Sequence, residues 1–302
     1  MGKSNTFFPP IVEPGSPIQS SPIEEDDLHD MWSARRAIVF PEEKTIIAQY
    51  CVSHDFLVRE GSNPATGIRK TVGSVLVNQG TTPNVVVREA LEWIASNRDE
   101  GPFDITWYTP GALVPATLRA WRQEHPRMSS AAQLFLFPGR VDQQTDAVSG
   151  PEAVEFAHRL SRHFTYALLS SYSFDMATGT LYFHFSDEID LQRACATAHA
   201  VSKFLFLDPS KFTIEGYPAC ALVDLLYTAR VVTLYCVSSD MDGWIRASFD
   251  ALCDRILSAD PINGVDSGFS FDNKAVRLRI VGRGDSETKC LEHTGFLMQT
   301  VR

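Results

Sequence analysis

The feature that most constrains the fold of this chain is an order of predicted elements that recurs along it. Three segments of the 302 residues each read as a short apolar strand, a helix, two strands, a second helix and a last strand. Their first strands begin near residues 37, 134 and 232, so the repeat is just under a hundred residues long. A recurrence of this kind indicates that one supersecondary unit is used several times.

Local patterns predict the elements of each segment. In the first segment Pro41 opens a helix, because proline suits the first helical turn, and residues 56–58 read as a strand. In the second segment, residues 180–185 alternate between the two faces of a strand. In the third segment, residues 286–293 read as the second helix. The order βαββαβ is that of a ferredoxin-like sandwich, so the predicted fold class is α+β with tandem ferredoxin-like modules.

The recurrence also predicts the domain organisation. Residues 1–32 are expected to form a disordered arm, because five prolines and an acidic run interrupt any periodicity. Three modules and two connecting segments follow the arm, and each connecting segment carries a further helical pattern. The predicted modules span 33–110, 131–208 and 231–302, and the predicted connecting segments span 111–130 and 209–230.

The middle segment resembles the RNA recognition motif (RRM) family. Its residues 134–137, LFLF, stand where the family carries its RNP2 motif, and residues 178–185, TGTLYFHF, stand where it carries RNP1. The resemblance implies RRM-like modules whose exposed aromatic side chains stack on the bases of single-stranded RNA. Because side chains alternate along a strand, it places Phe135, Tyr182 and His184 on the open face of the sheet.

The third segment adds three further residues to the interface that this resemblance implies. Tyr235 falls near its RNP2 stacking position, and Arg277 and Arg279 lie on the exposed side of its predicted third strand. Guanidinium groups can stack on bases and can pair with phosphates. The resemblance therefore implies a non-catalytic RNA-binding protein that uses mainly the middle module.

The net charge of the chain is also compatible with a second function. The formal net charge is −10, so no global positive field attracts the phosphates of nucleic acid. The alternative is an acidic protein-protein interaction scaffold built from degenerate RRM-like modules. Binding to RNA should weaken steeply as the salt concentration rises, whereas binding to a protein partner through an apolar interface should not.

The predicted arm contains candidate modification sites. The first six residues, MGKSNT, fit the pattern for N-myristoylation at Gly2, and the alternative is an ordinary start followed by a small residue. A single myristoyl chain would attach the scaffold to a membrane only weakly and reversibly. Ser16 and Ser21 each precede a proline and are candidate sites of phosphorylation.

Motifs for catalysis are absent from the sequence. It contains no phosphate loop, no GxSxG, no HExxH and no zinc-ribbon spacing, so we expect no enzyme activity, no cofactor and no metal site. Cys195 and His199 have a spacing that can share a metal, but Cys195 belongs to an apolar stripe. Six cysteines without a CxxC pair, no secretory signal and no transmembrane run predict an intracellular protein, cytoplasmic or nuclear.

Overall fold

The structure of the chain is a computed structural model. The predicted arm, with Gly2, Ser16 and Ser21, lies outside the residues that the structure describes. Residues from Phe40 to Arg302 belong to one compact unit. The described ranges within it are 40–57, 73–97, 105–142, 147–160, 164–237, 239–258, 274–283 and 288–297.

The described residues contain thirteen β-strands. They form an eight-stranded sheet, a three-stranded sheet and a two-stranded hairpin. Their bounds are β1 Gly73–Val77, β2 Ile105–Thr109, β3 Ala132–Leu136, β4 Arg140–Asp142, β5 Ala147–Ser149, β6 Phe164–Ser170, β7 Ser173–Asp175, β8 Thr180–Phe183, β9 Ala200–Leu207, β10 Tyr217–Ala221, β11 Ala229–Val237, β12 Ala275–Arg283 and β13 Thr288–Leu297.

The eight-stranded sheet is the centre of the molecule. Its order is β13-β12-β11-β9-β6-β1-β2-β3, and β13 is its one antiparallel member. Strands of a parallel sheet are covered on both faces and are therefore apolar on both. In β1, Val75, Leu76 and Val77 are all at most 1% exposed, although they point alternately to opposite faces.

Helices cover both faces of this sheet. Three pack on one face, and their bounds are α1 Pro41–Cys51, α2 Thr81–Ser96 and α3 Leu113–Glu124. Four pack on the other face, and their bounds are α4 Pro151–Leu160, α5 Ile189–Ala196, α6 Leu222–Tyr227 and α7 Asp242–Ser258. A single π-helical turn, Val52–Phe56, continues α1. The architecture is thus a three-layer α/β/α sandwich.

The buried stripe of α2 shows why such a helix forms. Val87, Ala90, Leu91 and Ile94 are fully buried at the spacing that places residues on one helical face. The spacing of these four apolar residues in the sequence by itself predicts a helix here, and the structure confirms it. The Asn97 amide closes the helix by donating a hydrogen bond to the Trp93 carbonyl over 2.7 Å.

The predicted fold class is wrong. Strands from all three repeated segments lie in the same sheet, where β1 pairs with β6 and β9 pairs with β11, so separate sandwiches do not form. The predicted second helix of the third segment is also wrong, because Thr288–Leu297 is the edge strand β13. Phe56 lies in the π-helical turn and not in a strand. The chain is an α/β protein with a doubly wound sheet.

The direction of winding reverses beside β1. The chain passes outward from β1 to β2 and β3, and then returns to the other side of β1 as β6. In open parallel sheets, ligands bind outside the carboxyl ends of the strands at such a reversal. The fold therefore predicts a ligand site among the residues that follow β1 and β6.

None of the described helices is both long enough and apolar enough to cross a membrane.

Candidate functional site

The candidate site lies where β1 and β6 end, at the reversal of winding, and we call it the switch crevice. Asn78 follows β1, and its backbone N–H donates to the Leu168 carbonyl over 2.9 Å. Gly80 lies against the end of β6, because a Cβ atom at that position would stand 3.0 Å from the Cβ of Ser170. Only a residue without a side chain allows the two loops to approach so closely without rearrangement.

Asn78 carries the most unusual polar group of the crevice. The residue is 1% exposed, and neither its Oδ1 nor its Nδ2 has a hydrogen-bond partner among the described residues. Ser171 Oγ and Gln192 Oε1 are also buried without a partner in the described part of the chain. Leaving a buried polar group unsatisfied costs about 1–3 kcal/mol. Such atoms together indicate a place that is built to receive a hydrogen-bonding molecule.

The three unsatisfied residues converge on one side of the sheet. Asn78 continues the face of Leu76, and Ser171 continues the face of Leu169, since side chains alternate along a strand. Helix α5 packs on this same face. Its residue Gln192 donates from Nε2 to Gln79 Oε1 over 3.0 Å, which ties the helix to the loop after β1.

The start of α2 gives the crevice an electrostatic character. This helix has sixteen residues and begins at Thr81 with no side-chain cap. Pro83 has no N–H group, so the free backbone donors of the first turn are those of Thr81 and Thr82. Thr82 is 1% exposed. Free N–H groups and the positive end of the helix dipole favour an anion at this point.

The end of β2 closes the crevice on its other side. The Gly111 N–H donates to Thr109 Oγ1 over 3.0 Å, and Thr109 is fully buried. A Cβ atom at Gly111 would lie 3.6 Å from the Cα of Gln79, so this turn packs directly on the loop after β1. The carboxyl ends of three neighbouring strands therefore border one small polar space.

A groove also lies between α4 and α5. Two of its charged side chains, Glu155 and Arg159, form an ion pair one helical turn apart. We place the candidate site in the switch crevice, where buried polar atoms lack partners. The groove has a volume of about 700 Å³ and is lined by Gly150, Pro151, Val154, Glu155, His158, Arg159, Asp190 and Leu191.

The structure separates the residues that the middle segment was expected to bring together. Phe135 is 47% exposed on the edge strand β3, where its ring stacks on Tyr108 with centroids 5.0 Å apart. Tyr182 is half-buried on β8 of the small sheet. His184 is buried, and its ring lies 4.7 Å from that of Tyr172. Phe135 thus shares neither sheet nor face with Tyr182 and His184.

The third-segment residues lie under a helix. Tyr235 is fully buried on β11, and Arg279 is 8% exposed on β12. Both contact Asp55 of the π-helical turn, and the Arg279 guanidinium pairs with both carboxylate oxygens at 2.8 Å. Arg277 is half-buried on β12. The predicted alternation along β12 is right, but the face taken to be open is covered by α1.

Burial also changes the acid-base behaviour of this cluster. Burial raises the pKa of the Tyr235 hydroxyl well above its ordinary value, and the neighbouring Cys51 and Asp55 raise it further. Burial likewise raises the pKa of the Cys51 thiol, again with help from Asp55. These groups hold their protons at neutral pH, so the cluster serves packing and hydrogen bonding.

Sequence reasoning missed the residues of the switch crevice. Asn78, Ser171 and Gln192 belong to no catalytic or binding motif, and they stand far apart in the chain. One signal was available, because the buried strand VLV is followed by Asn-Gln-Gly and then by the start of a helix. A strand, a glycine and a helix start in this order are typical of an anion-binding turn in α/β proteins.

Comparison with known proteins identifies no family for this chain. No family model matches it, and no curated protein matches it. Solved structures that resemble it include ribose 5-phosphate isomerase A from Methanocaldococcus jannaschii, with a TM-score of 0.35, 10% identity and coverage of 58% of this chain and 55% of that one. Another is ribose 5-phosphate isomerase A from Neisseria gonorrhoeae, with a TM-score of 0.33, 11% identity and coverage of 57% and 53%.

A third similar structure is eIF2B delta from Chaetomium thermophilum, with a TM-score of 0.31, 10% identity and coverage of 63% of this chain and 57% of that one. The chain thus spans little more than half the length of the solved structures named here.

The resemblance to RNA recognition motifs is wrong. The strands expected in three separate modules instead form one mainly parallel sheet. The RNA-binding function rested on exposed sheet faces, and the scaffold alternative rested on degenerate RRM-like modules. Because both functions required RRM-like modules, and such modules do not form, both predictions are wrong.

Proposed function

We propose that this chain binds a small anionic molecule in the switch crevice. The observation that carries the proposal is the amide of Asn78, which is buried beside the start of α2 with neither of its polar atoms hydrogen-bonded within the described ranges. A bound molecule would satisfy both atoms and recover the free energy that their burial costs. The crevice stands where α/β folds commonly bind ligands.

The donors and acceptors of the crevice define the chemistry of the ligand. The N–H groups of Thr81 and Thr82 donate, and they suit a phosphate or a carboxylate at the start of α2. Asn78 Oδ1 and Gln192 Oε1 are acceptors that await a donor. The ligand should therefore carry an anionic group at one end and hydroxyl or N–H groups at the other.

Binding without catalysis is part of the proposal. The unsatisfied side chains of the crevice are two amides and one hydroxyl, and such groups do not exchange protons near neutral pH. The carboxylate of Glu188 stands one turn before Gln192, and this residue is 8% exposed. An intracellular location also belongs to the proposal, supported by five described cysteines that are buried and unpaired with one another.

The test is the substitution Asn78→Leu, which removes both unsatisfied atoms and keeps the size of the side chain. We expect the unliganded variant to be more stable than the wild type by about 1 kcal/mol, because it no longer buries an amide group whose hydrogen bonds are unsatisfied. We expect its affinity for the ligand to fall at least tenfold. Urea unfolding measures stability, and calorimetric titration measures binding of inorganic phosphate and of a panel of phosphomonoesters and dicarboxylates.

Asn97→Leu is the matched control at the other end of α2. Asn97 already donates to the Trp93 carbonyl, so its loss should lower stability and leave ligand affinity unchanged. After incubation with the wild type, the NMR spectrum of any compound that binds should show that it is chemically unchanged. A less stable Asn78→Leu variant with full affinity would contradict the crevice as a binding site, and turnover that is lost in Glu188→Gln would contradict binding without catalysis.

A further inference from the structure

Helices α2 and α3 lie side by side and run in the same direction, with corresponding turns at about the same height. Both follow parallel strands of one winding direction, and Thr117 of α3 donates to Asn84 Oδ1 of α2 over 2.9 Å. Glu92 stands eight residues beyond Asn84, and Glu124 stands seven residues beyond Thr117. At a rise of about 1.5 Å per residue, both glutamates lie about 10–12 Å beyond that hydrogen bond. They are thus level with each other at the carboxyl ends of their helices.

A histidine completes a group of three donors at this level. One carboxylate oxygen of Glu92, one of Glu124 and a ring nitrogen of His125 all lie within 4.8 Å of one another. A zinc ion with bonds near 2.1 Å needs its ligand atoms about 3.4 Å apart, so small rotations of the side chains suffice. Both glutamates are exposed and therefore have room to rotate.

We infer that Glu92, Glu124 and His125 form a binding site for a divalent transition metal of the zinc type. A ring nitrogen beside two carboxylates suits Zn²⁺, Co²⁺ or Mn²⁺, whereas Ca²⁺ and Mg²⁺ prefer oxygen ligands alone. Three protein ligands leave a fourth tetrahedral position for water. The ion bridges two helices that are separated in the sequence by the strand β2.

The surroundings of the three donors distinguish them from an ordinary acidic surface. The ring of His125 packs against Trp121 with centroids 5.2 Å apart, and its backbone N–H donates to the Trp121 carbonyl over 2.8 Å. His125 is thereby held at the end of α3, where the helix dipole favours a positive charge.

The two carboxylates are also available for a metal. Among the described residues, neither Glu92 nor Glu124 takes part in an ion pair or a side-chain hydrogen bond. Glu89, one turn before Glu92, instead contacts Arg88 and Gln49. Two neighbouring carboxylates without a cation repel each other, and a bound divalent ion removes that repulsion.

This metal site is independent of the switch crevice. Helix α2 begins at the crevice, and Glu92 stands eleven residues beyond Thr81, which is about 16 Å along the helix axis. Asn78→Leu should therefore leave metal binding unchanged, and substitutions at Glu92 should leave anion binding unchanged. Failure of one site can be told apart from failure of the other.

The experiment titrates the full chain with Co²⁺, whose visible absorption reports on its ligands, and then displaces the Co²⁺ with Zn²⁺. We expect one equivalent bound with a spectrum of nitrogen and oxygen ligands, and we expect the affinity to fall at least tenfold in Glu92→Gln and in His125→Asn. Zn²⁺ should also raise the melting temperature of the wild type and not that of either variant, since a ligand that binds the folded state stabilises it.

Two matched controls use residues outside the trio. Glu89→Gln removes a carboxylate from the same helix, and His158→Asn removes an exposed histidine from α4; both should keep wild-type affinity. Three results would each overturn the site. They are absence of stoichiometric binding, thiolate charge-transfer bands from the cysteines, and an equal loss of affinity in the control variants.

Discussion

Lys203 is a charged side chain in the middle of the sheet. It lies on β9 and is fully buried, and its Nζ donates to the Ala196 carbonyl over 2.6 Å and to Thr228 Oγ1. Burial is the main reason why the pKa of this amine is lowered to about 7. Of the smaller effects, the nearby Lys274 also lowers the pKa, whereas Cys220 and Asp224 raise it. At neutral pH the amine is therefore close to half protonated, unlike a lysine in water.

This shifted pKa predicts how stability depends on pH. An unfolded lysine takes up its proton below about pH 10.4, whereas folded Lys203 does so only near pH 7, so the unfolded state binds more protons between these values. The contribution of Lys203 should therefore make the free energy of unfolding rise with pH between about pH 7 and about pH 7.5, at up to about 1.4 kcal/mol per pH unit. Urea unfolding at several pH values measures this slope.

Lys203→Met is the comparison that isolates this slope. The range stops near pH 7.5 because burial raises the pKa of all five described cysteines. Their thiols begin to lose protons above that pH in the unfolded state but not in the folded state, which makes stability fall. Below that limit the slope should be strongly reduced in Lys203→Met. An unchanged slope in the variant would show that Lys203 is not the group responsible.

At the scale of elements, a buried ion pair fastens α1 and its π-helical turn to the sheet. Asp55 and Arg279 meet at 2.8 Å with side chains 12% and 9% exposed, and Tyr235 also contacts Asp55. The Arg279 guanidinium lies 5.8 Å from the centre of the Tyr50 ring, which itself stacks on His54 at 4.1 Å. A π-helical turn is unusual, and here it brings Asp55 to the guanidinium.

Removal of one partner should be costly, because the other charge remains buried. We expect Asp55→Ala and Arg279→Ala each to lower the free energy of unfolding by about 3 kcal/mol, and the double variant to lose less than the sum. Urea unfolding of the four proteins gives the coupling energy. The exposed pair Asp190 and Arg193, at 3.5 Å, is the control and should show little coupling. Equal coupling in both cycles would contradict this role for Asp55.

The same elements show what the sequence could predict. The starts of α1 and α4 at prolines, the stripe of α2 and the alternation along β12 were all predicted, because each depends on neighbours in the chain. Arg279 was assigned to an open face, since its partner Asp55 lies 224 residues away. The switch crevice needs β1 and β6 to be adjacent, and the metal trio needs α2 beside α3. Neither adjacency leaves a local pattern.

At the scale of the whole molecule, one sheet replaces three modules. Local elements were read in nearly the right order, but a strand-helix-strand repeat is compatible with parallel strands in one sheet as well as with separate sandwiches. The pairing decides between them: β3 pairs with β2, β6 pairs with β1, and β9 pairs with β11. Each of these contacts crosses a predicted module boundary, so no module holds a complete sheet.

This pairing predicts that the unit unfolds as a whole. A fragment spanning residues 131–208 contains β3, β6 and β9 but lacks β1, β2 and β11, so β3 loses its partner strand. One apolar face of β6 also loses its cover, because α1 and α2 are absent. We expect the fragment to lack the dispersed amide NMR spectrum of a folded domain. The full chain should melt in one calorimetric transition, with an enthalpy near 0.7 kcal/mol for each folded residue. Three separable transitions, or a folded 131–208 fragment, would restore the modular organisation and remove the switch crevice with it, because Asn78 and Ser171 then belong to different domains.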